Sequence, residues 1–240
     1  MLITGCGDFG GSGGESGASA GGEVSASAAN APSASKARAA AQLDKLALAE
    51  SDLKGFAVRK LKDVEVLTQH DVRTDKKDCA VVGQAEFGVA MGDPVATAQR
   101  RVDSGLDDEA IAAADSDEEM DAAFTITSTT VTLASYGSPD QARAVLATLS
   151  SGIAVCDDGS STLYVDEVRA DTAPEAGDEA IAFTVRPVGD DDLEGPTKVV
   201  VFRHGSVLAQ FSTVNPAFSV STGDFDVPAG LIEAQDAKLG

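Results

Sequence analysis

The residues of this chain that could carry out chemistry are few: three cysteines, two histidines and many carboxylates. His70 and His204 lie in no recognisable catalytic motif, and the sequence offers no set of nucleophile, base and orienting group. The pattern Gly10-x-Ser12-x-Gly14 would mark a hydrolase nucleophile only between a strand and a helix, and its neighbours form neither. We therefore expect no catalytic residue, no cofactor and no enzymatic activity, and a hydrolase is the least favoured function.

Cys6 lies directly after Ile3-Thr4-Gly5, and this run resembles a bacterial lipobox, at which a cysteine receives a lipid and becomes the amino terminus. The resemblance implies that residues 1–6 are the remnant of a signal, with Cys6 as the lipid attachment site. The protein would then be anchored on the outer face of the cell membrane. Such a signal needs a basic and an apolar region before the cleavage site, so this interpretation requires a longer N-terminal sequence than Met1-Leu2. The alternative is a chance Thr-Gly-Cys in a cytosolic protein.

Cys79 and Cys156 remain as an even pair when Cys6 is assigned to the lipid. In an exported protein such a pair favours a disulfide, because the compartment is oxidising. Two alternatives stay open at this point. The residues could be two buried free thiols in a cytosolic protein, or one of them could be a catalytic cysteine, which is less favoured.

The composition divides the chain into a linker and a domain. Residues 7–35 are mostly Gly, Ser and Ala, and they show no regular apolar period. Such a segment cannot bury enough apolar surface to offset its ordering entropy, so we predict a disordered linker that spans about 30 Å. Residues 36–240 are long enough for a single domain with one core.

The charge of the chain excludes one class of partner. Lys and Arg number 18 against 39 Asp and Glu, which gives a net charge of −21. A surface of this sign repels nucleic acid, so we exclude DNA and RNA as partners. Two acidic stretches, residues 103–121 and 190–192, are predicted to be solvated surface loops. Because residues 103–121 have no Gly at the turn position and no Glu at the twelfth position of an EF-hand, we expect no specific metal site, and loose divalent binding is the less favoured alternative.

The apolar pattern predicts helices over residues 35–49 and 228–239, and a central helix capped by Ser138 that stops at Gly152. Strands are predicted over residues 58–67, 122–136, 163–170 and 180–188, with a hairpin of 198–203 and 206–214 around His204-Gly205. A change of apolar parity predicts a bulge near Ser128. The pattern does not decide between helix and strand for residues 79–87 and 94–102. Strands with helices at both ends and in the middle predict an α+β fold, a curved antiparallel sheet packed with N-terminal, central and C-terminal helices and one disulfide.

Several short motifs share the order and spacing of one known family. They are Asp52-Leu53-Lys54-Gly55-Phe56, Gly177-Asp178-Glu179-Ala180, the run from Val199 to Gly205, Ala234-Gln235-x-x-Lys238-Leu239, and the positions of Cys79 and Cys156. Together they resemble the actinobacterial sensor-domain lipoproteins, which are akin to the extracellular domain of PknH-type receptor kinases. The resemblance spans residues 44–240, but Lys54 replaces the usual proline and only one disulfide is available. It implies a non-catalytic sensing or binding domain whose natural ligand is unassigned.

Asp178, Arg203 and His204 are the candidate ligand-contacting residues. Asp178 could belong to a ligand-contacting loop, and Arg203 with His204 could present a cation at the mouth of a pocket. The alternative is structural: Asp178 would stabilise a turn before a strand, and Gly205 would form a hairpin turn. The favoured function is a surface-displayed, lipid-anchored binding or sensing lipoprotein of the cell envelope, whose partner is an unknown small molecule or envelope protein. The alternative is a structural envelope or assembly-partner lipoprotein.

Overall fold

One open sheet of seven antiparallel strands organises the domain. The computed structural model describes residues 40–74, 76–106, 108–156, 165–187, 195–217 and 225–240. The strands of this described part are β1 Phe56–Lys60, β2 Ala96–Ser104, β3 Ser128–Ser135, β4 Val165–Asp171, β5 Glu179–Pro187, β6 Thr197–His204 and β7 Val207–Val214. Their order in the sheet is β1-β2-β3-β7-β6-β5-β4. The predicted α+β class and antiparallel sheet are confirmed.

Helices lie on both faces of the sheet. They are α1 over residues 40–46, α2 Ala80–Glu86, α3 Asp108–Ala113, α4 Asp117–Phe124, α5 Pro139–Val155 and α6 Ala229–Leu239. Among the described residues, no helix is both long enough and apolar enough to span a bilayer.

The core therefore has two layers, one on each face. On the first face, Phe183 and Val185 pack with the buried residues of α2 and α5. On the second face, the rings of Phe202 and Phe211 stack with their centroids 5.9 Å apart, beneath the apolar residues of α1 and α6. Because both faces are covered, the inner strands are continuous apolar or Thr-rich runs and do not alternate with polar residues.

The central helix begins as predicted but ends later. The Ser138 hydroxyl accepts a hydrogen bond of 3.2 Å from the Gln141 N–H, and Pro139 is the first helical residue. The helix continues through Gly152 to Val155, so the predicted stop at Gly152 is wrong. Gly152 is a packing residue: a Cβ there would lie 2.8 Å from Val81 Cγ1 and 3.1 Å from the Asp78 carbonyl oxygen.

The acidic stretch at residues 103–121 is not a loop. Its first residues complete β2, and the rest contributes α3 and most of α4. Ser116 caps α4 by accepting a 3.2 Å hydrogen bond from the Glu119 N–H. Acidic residues in the first turn of a helix interact favourably with its dipole, which accounts for a helix in so acidic a segment.

The long Thr-rich strand is shorter than predicted at its start. Residues up to Phe124 belong to α4, and β3 begins at Ser128. The apolar residues Phe124 and Ile126 therefore precede the strand, and β3 pairs with β2 in an unbroken register. The predicted bulge near Ser128 is wrong for this reason.

The other predictions have mixed outcomes. The undecided segments 79–87 and 94–102 contain α2 and most of β2, and the strand predicted over 58–67 ends at Lys60 before a 3-10 turn. The hairpin around Gly205 and the final helix are confirmed, with Leu231, Ile232 and Gln235 buried. The linker, Cys6 and the 190–192 loop lie outside the described residues.

Candidate functional site

A disulfide joins the start of α2 to the end of α5. The sulfur atoms of Cys79 and Cys156 are 2.01 Å apart, the Cα atoms are 5.9 Å apart, and both residues are fully buried. The predicted pairing is confirmed, and the alternative of two free thiols is excluded. The bond fixes the relative position of the two helices that cover the first face of the sheet.

A groove of about 530 Å³ lies between α2 and α5 beside this disulfide, and we call it the helix groove. Its apolar lining consists of Ala80, Val81, Val145 and Val155, with Gly92 and Gly152. Its polar lining consists of Gln69, Lys77, Asp78, Gln84, Thr148 and Ser151. These residues offer an apolar cavity with polar edges, and they include no histidine or free thiol that could act as a nucleophile or base.

Hydrogen bonds hold the wall of the groove in place. The Gln69 side-chain amide donates to the carbonyl oxygens of Ala90 and Gly92, at 2.8 and 2.6 Å. The buried Tyr136 hydroxyl donates to the Met91 carbonyl oxygen at 2.7 Å, and burial raises the pKa of this phenol. Gly92 has a φ of +62°, and a Cβ there would come within 3.0 Å of Val145. These bonds within the protein hold the wall of the groove in place.

Two of the three candidate ligand-contacting residues meet at the start of β5. Arg203 Nη1 lies 2.6 Å from Asp178 Oδ2, and Arg203 Nε lies 2.5 Å from Glu179 Oε1. Nη1 also donates to the Gly205 carbonyl oxygen at 2.9 Å, while the Gly205 N–H donates to Asp178 at 2.9 Å. The arginine thus ties the turn before β5 to the β6–β7 hairpin.

Electrostatics and close packing reinforce this cluster. The Gly205 N–H and the Arg203 guanidinium lower the pKa of Asp178, and the Glu179 carboxylate raises the pKa of Arg203. A Cβ on Gly177 would lie 2.2 Å from the Arg203 carbonyl oxygen, so glycine is required there. These contacts favour the structural interpretation of the cluster, and a ligand contact by Asp178, Arg203 or His204 stays a prediction. Glu179, which lies in the motif Gly177-Asp178-Glu179-Ala180, is an ion-pair partner of Arg203 that the set of candidate residues did not include.

Glu86 is a second residue that the sequence analysis missed. It is half-buried at the end of α2, and its Oε2 is shielded from solvent without a hydrogen-bond partner. Desolvation raises the pKa of this carboxyl from 4.5 to about 7. Nothing in the local sequence Gln84-Ala85-Glu86-Phe87 distinguishes it from an exposed helix glutamate. Across the described residues, no group of three or more His, Cys, Asp or Glu side chains could hold a metal ion.

No family model and no curated protein matches the chain. Among solved structures, the chain is similar to the extracellular domain of PknH from Mycobacterium tuberculosis, with 12% identity and a TM-score of 0.43. The alignment covers 83% of this chain and 93% of that chain. A likeness at this level does not establish a shared function or ligand, and membership in the sensor-domain lipoprotein family stays a prediction.

Proposed function

We propose that this protein is a non-catalytic binding lipoprotein, displayed on the outer face of the cell membrane, and that the helix groove holds an apolar small molecule. The observation that carries the proposal is the preformed groove of about 530 Å³ between two disulfide-linked helices. Binding sites for small molecules are typically mostly apolar cavities of about 300–1,000 Å³ with a few polar groups at their edges.

The lining also suggests the class of ligand. Val81, Val145 and Val155 supply apolar contacts, while Lys77 and Asp78 are adjacent charges of opposite sign at the edge. A ligand with a net charge would gain little from such a pair. We therefore expect an uncharged molecule with an apolar body and one or two hydrogen-bonding groups for Gln69 or Thr148.

The location of the protein is supported by its cysteines. A fully buried disulfide is typical of proteins that fold in an oxidising compartment outside the cytosol. The third cysteine, Cys6, lies in the lipobox-like run. Intact mass of the protein from native membranes tests the anchor. We expect a diacylglycerol-sized adduct that a Cys6→Ser variant lacks, and an unmodified Cys6 would exclude lipid attachment.

Binding in the groove can be tested with Nile red, an uncharged dye whose fluorescence rises in apolar surroundings. Thr148→Trp should fill the groove, because Thr148 is an exposed lining residue whose side chain makes one intrahelical hydrogen bond. We expect its affinity for the dye to fall by about tenfold, which corresponds to about 1.4 kcal/mol. Ala147→Trp is the matched control, because Ala147 is exposed on α5 outside the lining. Equal binding by both variants would refute the groove as the site.

One observation favours the alternative function of an assembly partner. Val64, Val66 and Leu67 lie in one short segment and are 91%, 41% and 43% exposed. Adjacent exposed apolar side chains are typical of protein–protein contacts. Cross-linking on intact cells tests this alternative. A specific cross-linked partner that Val64→Ser abolishes would favour assembly, whereas an unchanged pattern would favour small-molecule binding alone.

A further inference from the structure

Glu86 lies where the wall of the helix groove meets the sheet. It is the last residue of α2, and Gln84, two residues earlier, lines the groove. Glu86 Oε2 is shielded from solvent, and among the described residues it has no hydrogen-bond partner. A buried carboxylate is costly in its ionised form when no donor replaces the water that solvates it in the unfolded chain. The charge state of Glu86 therefore affects how firmly this end of α2 is held.

The two ends of α2 are held in different ways. At its start, the disulfide of Cys79 fixes the helix to α5. At its end, uncharged side chains of the sheet donate hydrogen bonds to carbonyl oxygens: Gln210 Nε2 to Ala85 at 3.0 Å, Gln99 Nε2 to Gly88 at 2.9 Å, Thr132 Oγ1 to Gly88 at 2.7 Å, and the Ser212 hydroxyl to Glu86. Each such bond contributes modestly, because water competes for the same groups. The end of α2 is therefore the end that can be displaced.

No ion pair offsets the burial of Glu86 within the part of the chain that the structure describes. Desolvation raises the pKa of its carboxyl from 4.5 to about 7. The described charged or titratable side chains on the elements that contact α2 or the Gly88 carbonyl are Lys77 and Asp78 before its start, Asp140 and Arg143 on α5, Lys198, Arg203 and His204 on β6, and Arg100, Arg101 and Asp103 on β2. Of the β2 charges, Arg101 and Asp103 both bond the Ser128 hydroxyl, at 3.1 and 2.5 Å.

Ionisation of Glu86 favours an arrangement in which its carboxylate reaches water. Because the disulfide fixes the start of α2, the displacement falls on its last turn, where the hydrogen bonds from Gln210 and Ser212 are lost. Gln84 belongs to the same turn and lines the groove, so the groove loses part of its wall.

We propose that Glu86 makes ligand binding in the helix groove sensitive to pH. While this carboxyl is protonated, the last turn of α2 stays on the sheet and the groove is complete. When the carboxyl ionises, the turn leaves the sheet and the affinity of the groove falls. The inference rests on the proposed function of the groove and adds its regulation: the ligand is held in an acidic medium and released as the pH rises.

The pKa difference sets the limit of the effect. The carboxyl has its ordinary pKa of 4.5 when solvated and a pKa of about 7 on the sheet. Full ionisation therefore shifts the equilibrium between the two arrangements by at most about 300-fold. Part of this shift is absorbed by the preference of the protonated protein for the complete groove. We expect the remainder to weaken binding about three- to tenfold between pH 5 and pH 8.

The first test is a fluorescence titration of the full chain with Nile red at pH 5 and pH 8, at constant ionic strength. The dye is uncharged, so its own charge does not change between the two measurements. Glu86→Gln has the shape of the protonated residue and does not ionise, so its affinity should be the same at both pH values. His70→Gln is the matched control, because His70 is exposed and adjacent to Gln69 in the groove lining, and it should keep the pH dependence of the wild type. Equal affinity of the wild type at both pH values overturns the proposal, as does a pH dependence that His70→Gln loses and Glu86→Gln keeps.

Hydrogen exchange of the Gln210 side-chain amide tests the displacement without a ligand. This amide is buried against the end of α2, so at pH 8 it should exchange at least about tenfold faster in the wild type than in Glu86→Gln. Equal rates in the two proteins overturn the inference even if the dye binds. If Nile red binds at neither pH and Gln210 still exchanges faster in the wild type, the proposed function of the groove fails and the displacement of α2 by Glu86 is supported.

Discussion

Replacing Glu86 by Gln should change how the stability of the domain depends on pH. The pKa of this carboxyl is raised from 4.5 to about 7 by desolvation at the end of α2. A pKa difference of one unit between the folded and unfolded states corresponds to 1.36 kcal/mol. Ionisation of Glu86 therefore costs the folded state about 3 kcal/mol relative to the unfolded chain.

The sign follows from the two protonation states. Below pH 4.5 the carboxyl is protonated in both states, and the free energy of unfolding contains no ionisation cost from Glu86. As the pH rises from 4.5 to 7, the unfolded chain releases a proton that the folded state still holds, so stability falls. Above pH 7 the loss is complete. Glu86→Gln does not ionise and escapes this loss.

Urea unfolding followed by circular dichroism measures the difference. Between pH 4.5 and pH 8, the stability of Glu86→Gln should rise relative to the wild type by about 2–3 kcal/mol. Any constant cost of burying the amide affects both pH values equally and cancels. Glu233→Gln, an exposed position on α6, is the control and should show no such trend. A stability difference for Glu86→Gln that stays constant from pH 4.5 to 8 would refute the reasoning.

Three further predictions concern the elements that position the sites. Replacing both Cys79 and Cys156 by Ser should lower the free energy of unfolding by up to about 4.5 kcal/mol, as the chain-entropy model gives for a 77-residue separation. Urea unfolding measures it, and a loss below about 1 kcal/mol would contradict the model. Gly152→Ala should destabilise by about 1–3 kcal/mol because its Cβ meets neighbouring atoms at 2.8 Å, whereas Gly230→Ala has open space and should stabilise by about 0.5–1 kcal/mol. Thermal unfolding compares the two, and a shift of the same sign in both would contradict the packing argument. Arg203→Met should lower stability by about 1–3 kcal/mol, because the exposed carboxylates of Asp178 and Glu179 lose the charged hydrogen bonds of their shared partner. Because the Arg203 guanidinium lowers the pKa of Asp178, the Asp178 part of this loss should shrink as the pH falls below 3.8 and through that lowered pKa. A loss that does not depend on pH would show that packing, not charge, holds the hairpin.

The sequence predicted the parts of the fold that depend on local signals. The cap of α5 was readable because Ser138, Pro139 and Gln141 each favour a helix start for a local reason. The hairpin around Gly205 was readable from two β-branched runs on either side of a turn residue. The disulfide followed from counting cysteines and from the oxidising compartment that the lipobox-like run implied.

The predictions that were wrong concern elements whose structure is determined by tertiary packing. Gly152 has the sequence signal of a helix stop, yet it lies inside α5. Glycine is needed at this position because α2 approaches too closely for a Cβ. The acidic stretch has the composition of a loop, but Ser116 followed by three acidic residues is also typical of a helix start. The helix dipole interacts favourably with acidic side chains in the first turn. The raised pKa of Glu86 depends on its burial at the end of α2, and no local pattern can predict that burial.

The alternation of side chains along β5 and β6 separates the two layers of the core. Phe183 and Val199 pack beneath the helices that form the groove, whereas Val200 and Phe202 pack with α1 and α6 on the opposite face. Substituting Thr148, an exposed residue of the helix groove, therefore changes neither layer. Loss of Nile red binding in Thr148→Trp with an unchanged free energy of unfolding would show that the variant acts on the groove alone. A lower free energy of unfolding in Thr148→Trp than in Ala147→Trp would instead show that the tryptophan disturbs the core beneath the helices.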